Sequence, residues 1–222
     1  AVTFEAIESA GLTPDDIDGY GIGCPGSIDN KTGAVSYSNN LGFYDLPLGE
    51  LLCKKTGKKF FVENDANAAA YGEYIAGAGR GCNNFVAITL GTGVGGGIIV
   101  NGQIYSGSNG AGAEIGHMVI QIGGEACTCG RHGCFETYAS ATALIMQTKH
   151  AMIRYPNSLM WKLCDGDIEK TSGKTAFKAK EMGDIAAAMV VDQYIRYLAV
   201  GISNVVNIFQ PDMICIGGGI SR

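Results

Sequence analysis

The run FVAITLGTGVGGGIIVNGQIY, residues 85–105, leaves few choices of fold. Two apolar stretches rich in β-branched residues flank LGTGVGGG, and Asn101-Gly102 follows as a second turn signal. This pattern predicts two buried strands joined by a tight hairpin, then a further tight turn. Other glycine clusters, GYGIGCPGS, GAGRG, SGSNGAGAEIG and IGGGIS, each border a strand-like run. Glycine supplies 34 of 222 residues, about twice the usual ~7%, without the period of collagen. Turns of this kind let backbone approach a ligand closely.

Helical patterns alternate with these runs. AVTFEAIESAGL has helical spacing and ends at Gly11. IDGYGIGCPG reads as a buried strand entering a Pro-Gly turn, and KKFFVEND as a short strand. ANAAAYGEYIAGAG is helical, with Asp65 at or near its N-cap. TYASATALIMQTKHAM is read as one helix. Ile185, Met189, Ile195, Leu198, Ile202, Val205, Val206 and Phe209 mark a long apolar stripe, interrupted at Asp192. PDMICIGGGIS closes as a strand and a glycine turn, while residues 155–181 show no clear pattern. The alternation predicts an α/β fold. The chain begins inside a helical pattern and stops just after a glycine turn, as a piece of a longer protein would.

Composition excludes several classes. The 46% hydrophobic content supports a packed core, and 17% charged residues do not describe a disordered tail. A net charge of −5 argues against a nucleic-acid-coating surface. No stretch is read as approaching the ~20 apolar residues of a membrane span, and no secretory signal is apparent. Cys24, Cys53, Cys82, Cys164 and Cys215 are scattered, which in a chain of this length predicts reduced thiols and a cytoplasmic location.

The remaining three cysteines are not scattered. GHMVIQIGGEACTCGRHGCFE, residues 116–136, carries Cys127, Cys129 and Cys134 in the spacing C-x-C-x4-C, with Gly130 and Gly133 bending the chain between them. That is the donor set of a tetrahedral zinc site. The fourth ligand is His117, His132 or a distant residue. His117 is preferred, because the His132 ring would have to fold back on its own loop. Four protein ligands make a closed, structural site. Such a clip would draw Glu114 and Glu136 toward a common place, although both could equally be solvated loop acids.

Successive glycines in LGTGVGGG expose backbone N–H groups, and Thr92 adds a hydroxyl, which together form a nest for phosphate oxygens. No Gly-Lys-Ser/Thr follows it and no helix opens there, so it is neither a P-loop nor a Rossmann turn. IGGGIS, residues 216–221, is a second such turn, and the pair suits a nucleotide. In VENDANAAAYGE, Glu63, Asn64 and Asp65 stand at a strand-to-helix junction. Asp65 could merely cap the helix. Facing a cleft, it could also accept a proton from an attacking hydroxyl.

ENDANAAAYGE, LGTGVGGGIIVNGQIYSGSNGAGAEIGH and CTCGRHGCFE, in this order and spacing, resemble the ROK family of sugar kinases and sugar-responsive repressors, most closely its glucokinase branch. GIGCPGSID, NNLGF and IGGGIS match more weakly. The resemblance implies an actin-like, hexokinase-type (ribonuclease H-like) fold of two α/β domains. Residues 1–65 would be the remainder of the N-terminal domain, and 66–222 a larger domain with the zinc-binding loop. It implies ATP-dependent phosphorylation of a hexose, glucose preferred, at its primary hydroxyl, with Asp65 as general base. Asn64, Glu114, His117, Glu136, Gly26 and Asn40 would also meet the sugar. Gly91, Thr92 and Gly93 would face the phosphates of Mg-ATP, and Gly217 and Gly218 the nucleoside. His117, Cys127, Cys129 and Cys134 would hold structural zinc. A homodimer is implied, with no membrane or nucleic-acid partner for the kinase. The alternatives within the resemblance are a sugar-sensing repressor and a kinase for another hexose, such as N-acetylmannosamine. The family's N-terminal Asp-x-Gly-Gly-Thr turn and C-terminal helical segment are absent from this sequence, so activity is expected of the full-length protein. Ala113 stands where the family pattern carries Gly, which fits if its φ is negative.

Overall fold

The hairpin expected at residues 85–105 organises one part of the molecule. Strand β6 (Phe85–Leu90) pairs antiparallel with β7 (Val94–Val100), with Leu90 opposite Val94. A two-residue turn at Asn101 and Gly102, both at positive φ, returns the chain into β8 (Gln103–Ile104). On the other side of β6 lies β9 (Met213–Gly217), parallel to it, which gives the sheet order β8-β7-β6-β9. Successive β6 side chains serve opposite faces. Val86, Ile88 and Leu90 join Phe135, Ala139 and Val205 in one core, while Phe85 and Ala87 join Ala70 and Ile99 in another. Both faces are covered, so β6 is apolar at every position but Thr89 rather than alternating.

The computed structural model describes residues 2–38 and 41–220. Asn40, one of the expected sugar contacts, lies outside the described residues. Packing divides the chain into two units, Ala1–Ala69 with Tyr105–Gly112, and Ala70–Ile104 with Ala113–Arg222.

The first unit contains α1 (Val2–Ser9), β1 (Gly19–Cys24), β2 (Ser27–Asp29), β3 (Ala34–Ser38), β4 (Phe43–Leu46), α2 (Leu48–Thr56) and β5 (Lys59–Asn64). It also holds the start of α3 (Asp65–Ala76). β1 and β5 form a parallel pair in which Cys24 stands opposite Asn64. β2, β3 and β4 form an antiparallel meander that the sequence reading did not contain. Its core is Cys24, Ile28, Val35 and Val62.

In the second unit, residues 136–154 form two helices, not one. These are α4 (Glu136–Ala139) and α5 (Ala141–Arg154), broken at Ser140, whose hydroxyl accepts from Ala143 N at 3.1 Å and caps α5. The unpatterned segment 155–181 holds two short helices, α6 (Leu159–Leu163) and α7 (Thr175–Glu181). Helix α8 (Ile185–Phe209) follows. It is long and apolar enough to cross a membrane by length and composition alone, contrary to the expectation that no stretch approaches that limit. Its inner face belongs to two packed cores of this unit. The expected stripe holds at its C-terminal end, where Leu198, Ile202, Val205 and Phe209 face the core, and fails at its start. Ile185, Met189 and Ile195 are exposed, and the buried face is Ala186, Ala187, Val190, Val191, Tyr194, Gly201 and Val205. The small residues win because Ala176 and Ala179 of α7 pack against the same face. Two alanine faces let helix axes approach more closely than isoleucine would allow.

Candidate functional site

In the first unit, Glu63, Asn64 and Asp65 sit where β5 becomes α3. Asn64 Oδ1 accepts from Ala66 N (2.9 Å) and Asn67 N (3.1 Å), so Asn64 caps the helix rather than Asp65. Asn64 Nδ2 donates to Gly26 O at 3.1 Å and ties the Pro-Gly turn to the helix. Gly26 has φ +115, and a β-carbon there would crowd Ser38, so only glycine fits the turn. Glu63 Oε1 accepts from Asn64 N (2.9 Å) and from the buried Asn67 Nδ2 (3.1 Å). Asp65 is exposed at the first helical position, and among the described residues its Oδ1 accepts only from Ala66 N, at 3.0 Å. The structure thus brings Gly26, Asn64 and Asp65 together.

In the second unit the cysteine-rich hook closes as the spacing predicts. Cys127 N donates to Arg131 O (2.8 Å), Gly133 N to Glu125 O (2.7 Å) and Gly130 N to Cys127 O (3.0 Å). Gly130 and Gly133 take φ of +85 and +81. The donor atoms of His117, Cys127, Cys129 and Cys134 lie within 4.8 Å of one another. His117 Nδ1 is 3.5 Å from Cys127 Sγ, and Cys129 Sγ is 3.6 Å from Cys134 Sγ. A tetrahedral ion with bonds of ~2.0–2.3 Å sets its ligand atoms roughly 3.5–3.8 Å apart, so the set fits zinc. An N–H of the Arg131 backbone pulls the Cys129 thiol down to about 6, while burial pushes the Cys134 thiol up to about 12.

Val94 is the meeting point of the two acids' segments. Its N–H donates to Glu136 Oε2 at 3.0 Å, and its carbonyl lies so close to Gly116 that a β-carbon there would overlap it. Glu114 directly precedes the short helical turn 115–117 that contains Gly116 and His117, and His117 N donates to Glu114 O at 3.0 Å. Glu114 is exposed and Glu136 half-buried. Ala113 takes φ +65, so the expected negative φ does not occur; the turn demands the left-handed conformation that glycine adopts without strain.

Gly91, Thr92 and Gly93 form the turn between β6 and β7. β6 and β9 are parallel, with Thr89 opposite Gly217, so the glycine turns after both strands leave the same end of the sheet. Gly218, at φ +105, is pressed against Leu90 O. Ligands of open α/β sheets collect outside the carboxyl ends of parallel strands. Thr142, which the sequence reading missed, donates from Oγ1 to Thr92 O at 2.8 Å. The Ser-Ala-Thr at the start of α5 was the available hint, hidden by reading one continuous helix.

A mixed sheet with two glycine turns at one end, in the same unit as a histidine and three thiols set for a metal, defines an α/β protein with a metal-binding hook. The chain belongs to the ROK family, whose model matches residues 4–222. It is 46% identical to a glucokinase of Thermotoga maritima over 91% of this chain and 64% of that protein. It is 32% identical to a xylose repressor of Bacillus spizizenii over 94% of this chain and 50% of the repressor. Among solved structures, a ROK family glucokinase from Streptomyces griseus, in complex with glucose and AMPPNP, matches with a TM-score of 0.84 at 35% identity. That match covers 99% of this chain and 71% of the other. The fold is accordingly the hexokinase-type α/β fold of this family, and the chain spans just under two thirds of the curated glucokinase's length.

Proposed function

We propose that the protein, at its full natural length, transfers the γ-phosphoryl group of ATP to the primary hydroxyl of a hexose, with glucose preferred. The observation that carries this reading is the division of labour at the start of α3. Asn64 does the capping, and the Asp65 carboxylate stays exposed, with only its neighbour's N–H attached among the described residues. Asp65 is then free to accept the hydroxyl proton as the sugar oxygen attacks phosphorus in line. The magnesium that accompanies ATP and the N–H groups of Thr92 and Gly93 stabilise charge on the transferred group. Glu114, His117, Glu136, Asn64, Gly26 and Asn40 bind the remaining hydroxyls, and Gly217 and Gly218 border the nucleoside. Zinc held by His117, Cys127, Cys129 and Cys134 would fix the hook. His117 would then keep its second nitrogen for a hydrogen bond, as metal-bound histidines do. The five cysteines outside the hook, none of them in a disulfide, suit a reducing, cytoplasmic setting.

The test is coupled ATP turnover across a panel of hexoses with the full-length protein. Asp65→Asn should lower turnover by about 10²–10⁴-fold while glucose still raises the melting temperature. An active Asn variant removes Asp65 from this role. The repressor similarity supports a second reading, a sugar-sensing regulator. Sugar binding without any ATP turnover would favour it over the kinase.

A further inference from the structure

The turn between β6 and β7 has its acceptors occupied and its donors open. Gly93 O accepts from Gly91 N at 3.0 Å within the turn. Gly91 O accepts from Ala141 N at 2.8 Å, and Thr92 O accepts from Thr142 Oγ1 at 2.8 Å. Among the described residues, the N–H groups of Thr92 and Gly93 have no hydrogen-bond partner. A trans peptide is rigid, and its C=O and N–H point in opposite directions. The carbonyl of Gly91 and the N–H of Thr92 share one peptide plane; the carbonyl of Thr92 and the N–H of Gly93 share the next. Holding each carbonyl from behind therefore aims the N–H in front of it.

Both holds come from the first turn of α5, one from a helix-start N–H that lacks an intrahelical partner and one from a side-chain hydroxyl. We propose that Ala141, through its backbone N–H, and Thr142, through its hydroxyl, are positioning residues. They aim the Thr92 and Gly93 N–H groups at the phosphates of the nucleotide. The inference rests on the kinase reading and names which groups orient the phosphate donors. Without either tether, the corresponding peptide can rotate and present its carbonyl to an anion, which repels it.

Two substitutions separate the tethers. Thr142→Val deletes the hydroxyl and keeps the side-chain shape. Ala141→Pro deletes the N–H at the first helical position, where proline is tolerated, and Ser140 before it already has the extended backbone proline requires (φ −79, ψ 168). Each loses one hydrogen bond, so steady-state kinetics of the full-length protein should show KM for ATP rising about three- to ten-fold, with KM for glucose unchanged. Thr142→Ser should restore the wild-type KM for ATP, which a merely structural role would not require. Either variant with an unchanged KM for ATP overturns the role given to its tether and leaves the kinase reading standing. Equal rises in both KM values that serine does not rescue also overturn it. No hexose-dependent turnover by the unmodified protein overturns the kinase reading and this inference together.

Discussion

Ala113 holds a left-handed backbone at φ +65, next to the turn that carries Glu114 and His117. For an L-residue that conformation costs roughly 1–2 kcal/mol. Glycine removes the strain but adds about 0.4–1 kcal/mol of unfolded-chain entropy. The difference favours glycine, so Ala113→Gly should raise stability by about 0.5–1 kcal/mol in urea unfolding; a destabilised variant would show the strain is not there. Asp184 is the opposite case, a buried carboxylate with every need met. It accepts from Ser158 Oγ (2.8 Å), Leu159 N (2.6 Å) and Ala187 N (2.7 Å) and so caps α8 while holding the start of α6. Burial acts to raise its pKa, but these donors together outweigh it, and the net shift is downward. A depressed folded pKa means stability that is present above the unfolded value, near 4, and lost as pH falls through the lower folded value. Asp184→Ala should cost about 1.5–3 kcal/mol at pH 7, and the gap from wild type should narrow below about pH 4. A gap that stays constant on acidification would refute the charged role. Neither residue could be judged from sequence. The sign of a φ and the partners of a buried acid are set by distant chain. The choice between Asn64 and Asp65 as cap is subtler, since both are good caps and a one-residue offset in where the helix begins decides it.

At the scale of elements, legibility followed locality. The β6–β7 hairpin, the Asn101-Gly102 turn and the thiol hook were readable because their geometry is fixed within a few residues. Strands β2 to β4 were not, being only three to five residues long and dependent on each other for pairing. The inner face of the first half of α8 was misjudged because periodicity marks large apolar residues, while close packing against α7 selects small ones. That packing is tight enough to test. Ala187 is fully buried among Ala176, Ala179 and Val191. Ala187→Leu should overpack this contact and cost about 1–3 kcal/mol. Thermal unfolding indistinguishable from wild type would mean the interface has room that the structure does not contain.

At the scale of the whole molecule, the hook is the part whose integrity depends on something other than the chain. Backbone bonds from residues 118 to 135 close it, and a histidine and three cysteines bring their donor atoms within 4.8 Å of one another, a crowding that a bound cation would make favourable. We expect one zinc per chain by elemental analysis. Chelation or Cys134→Ser should lower the melting temperature by about 5–10 °C, as the loss of about 2–3 kcal/mol would in a domain of this size. Melting that ignores both would remove the metal from the account. The α/β class was legible because strand and helix patterns alternate, whereas the hexokinase-type architecture was implied only by the family resemblance of the motifs.

The amide of Asn64 reaches in two directions, to the first N–H groups of α3 and to the carbonyl of Gly26. It works as a latch. Any effort to retune this corner of the first unit by altering the Pro-Gly bend also loosens the helix end from which Asp65 projects. Conversely, a graft that moves Asp65 to another scaffold must bring the bend with it. The transferable module is a strand end, a bend and one helical turn, rather than an aspartate.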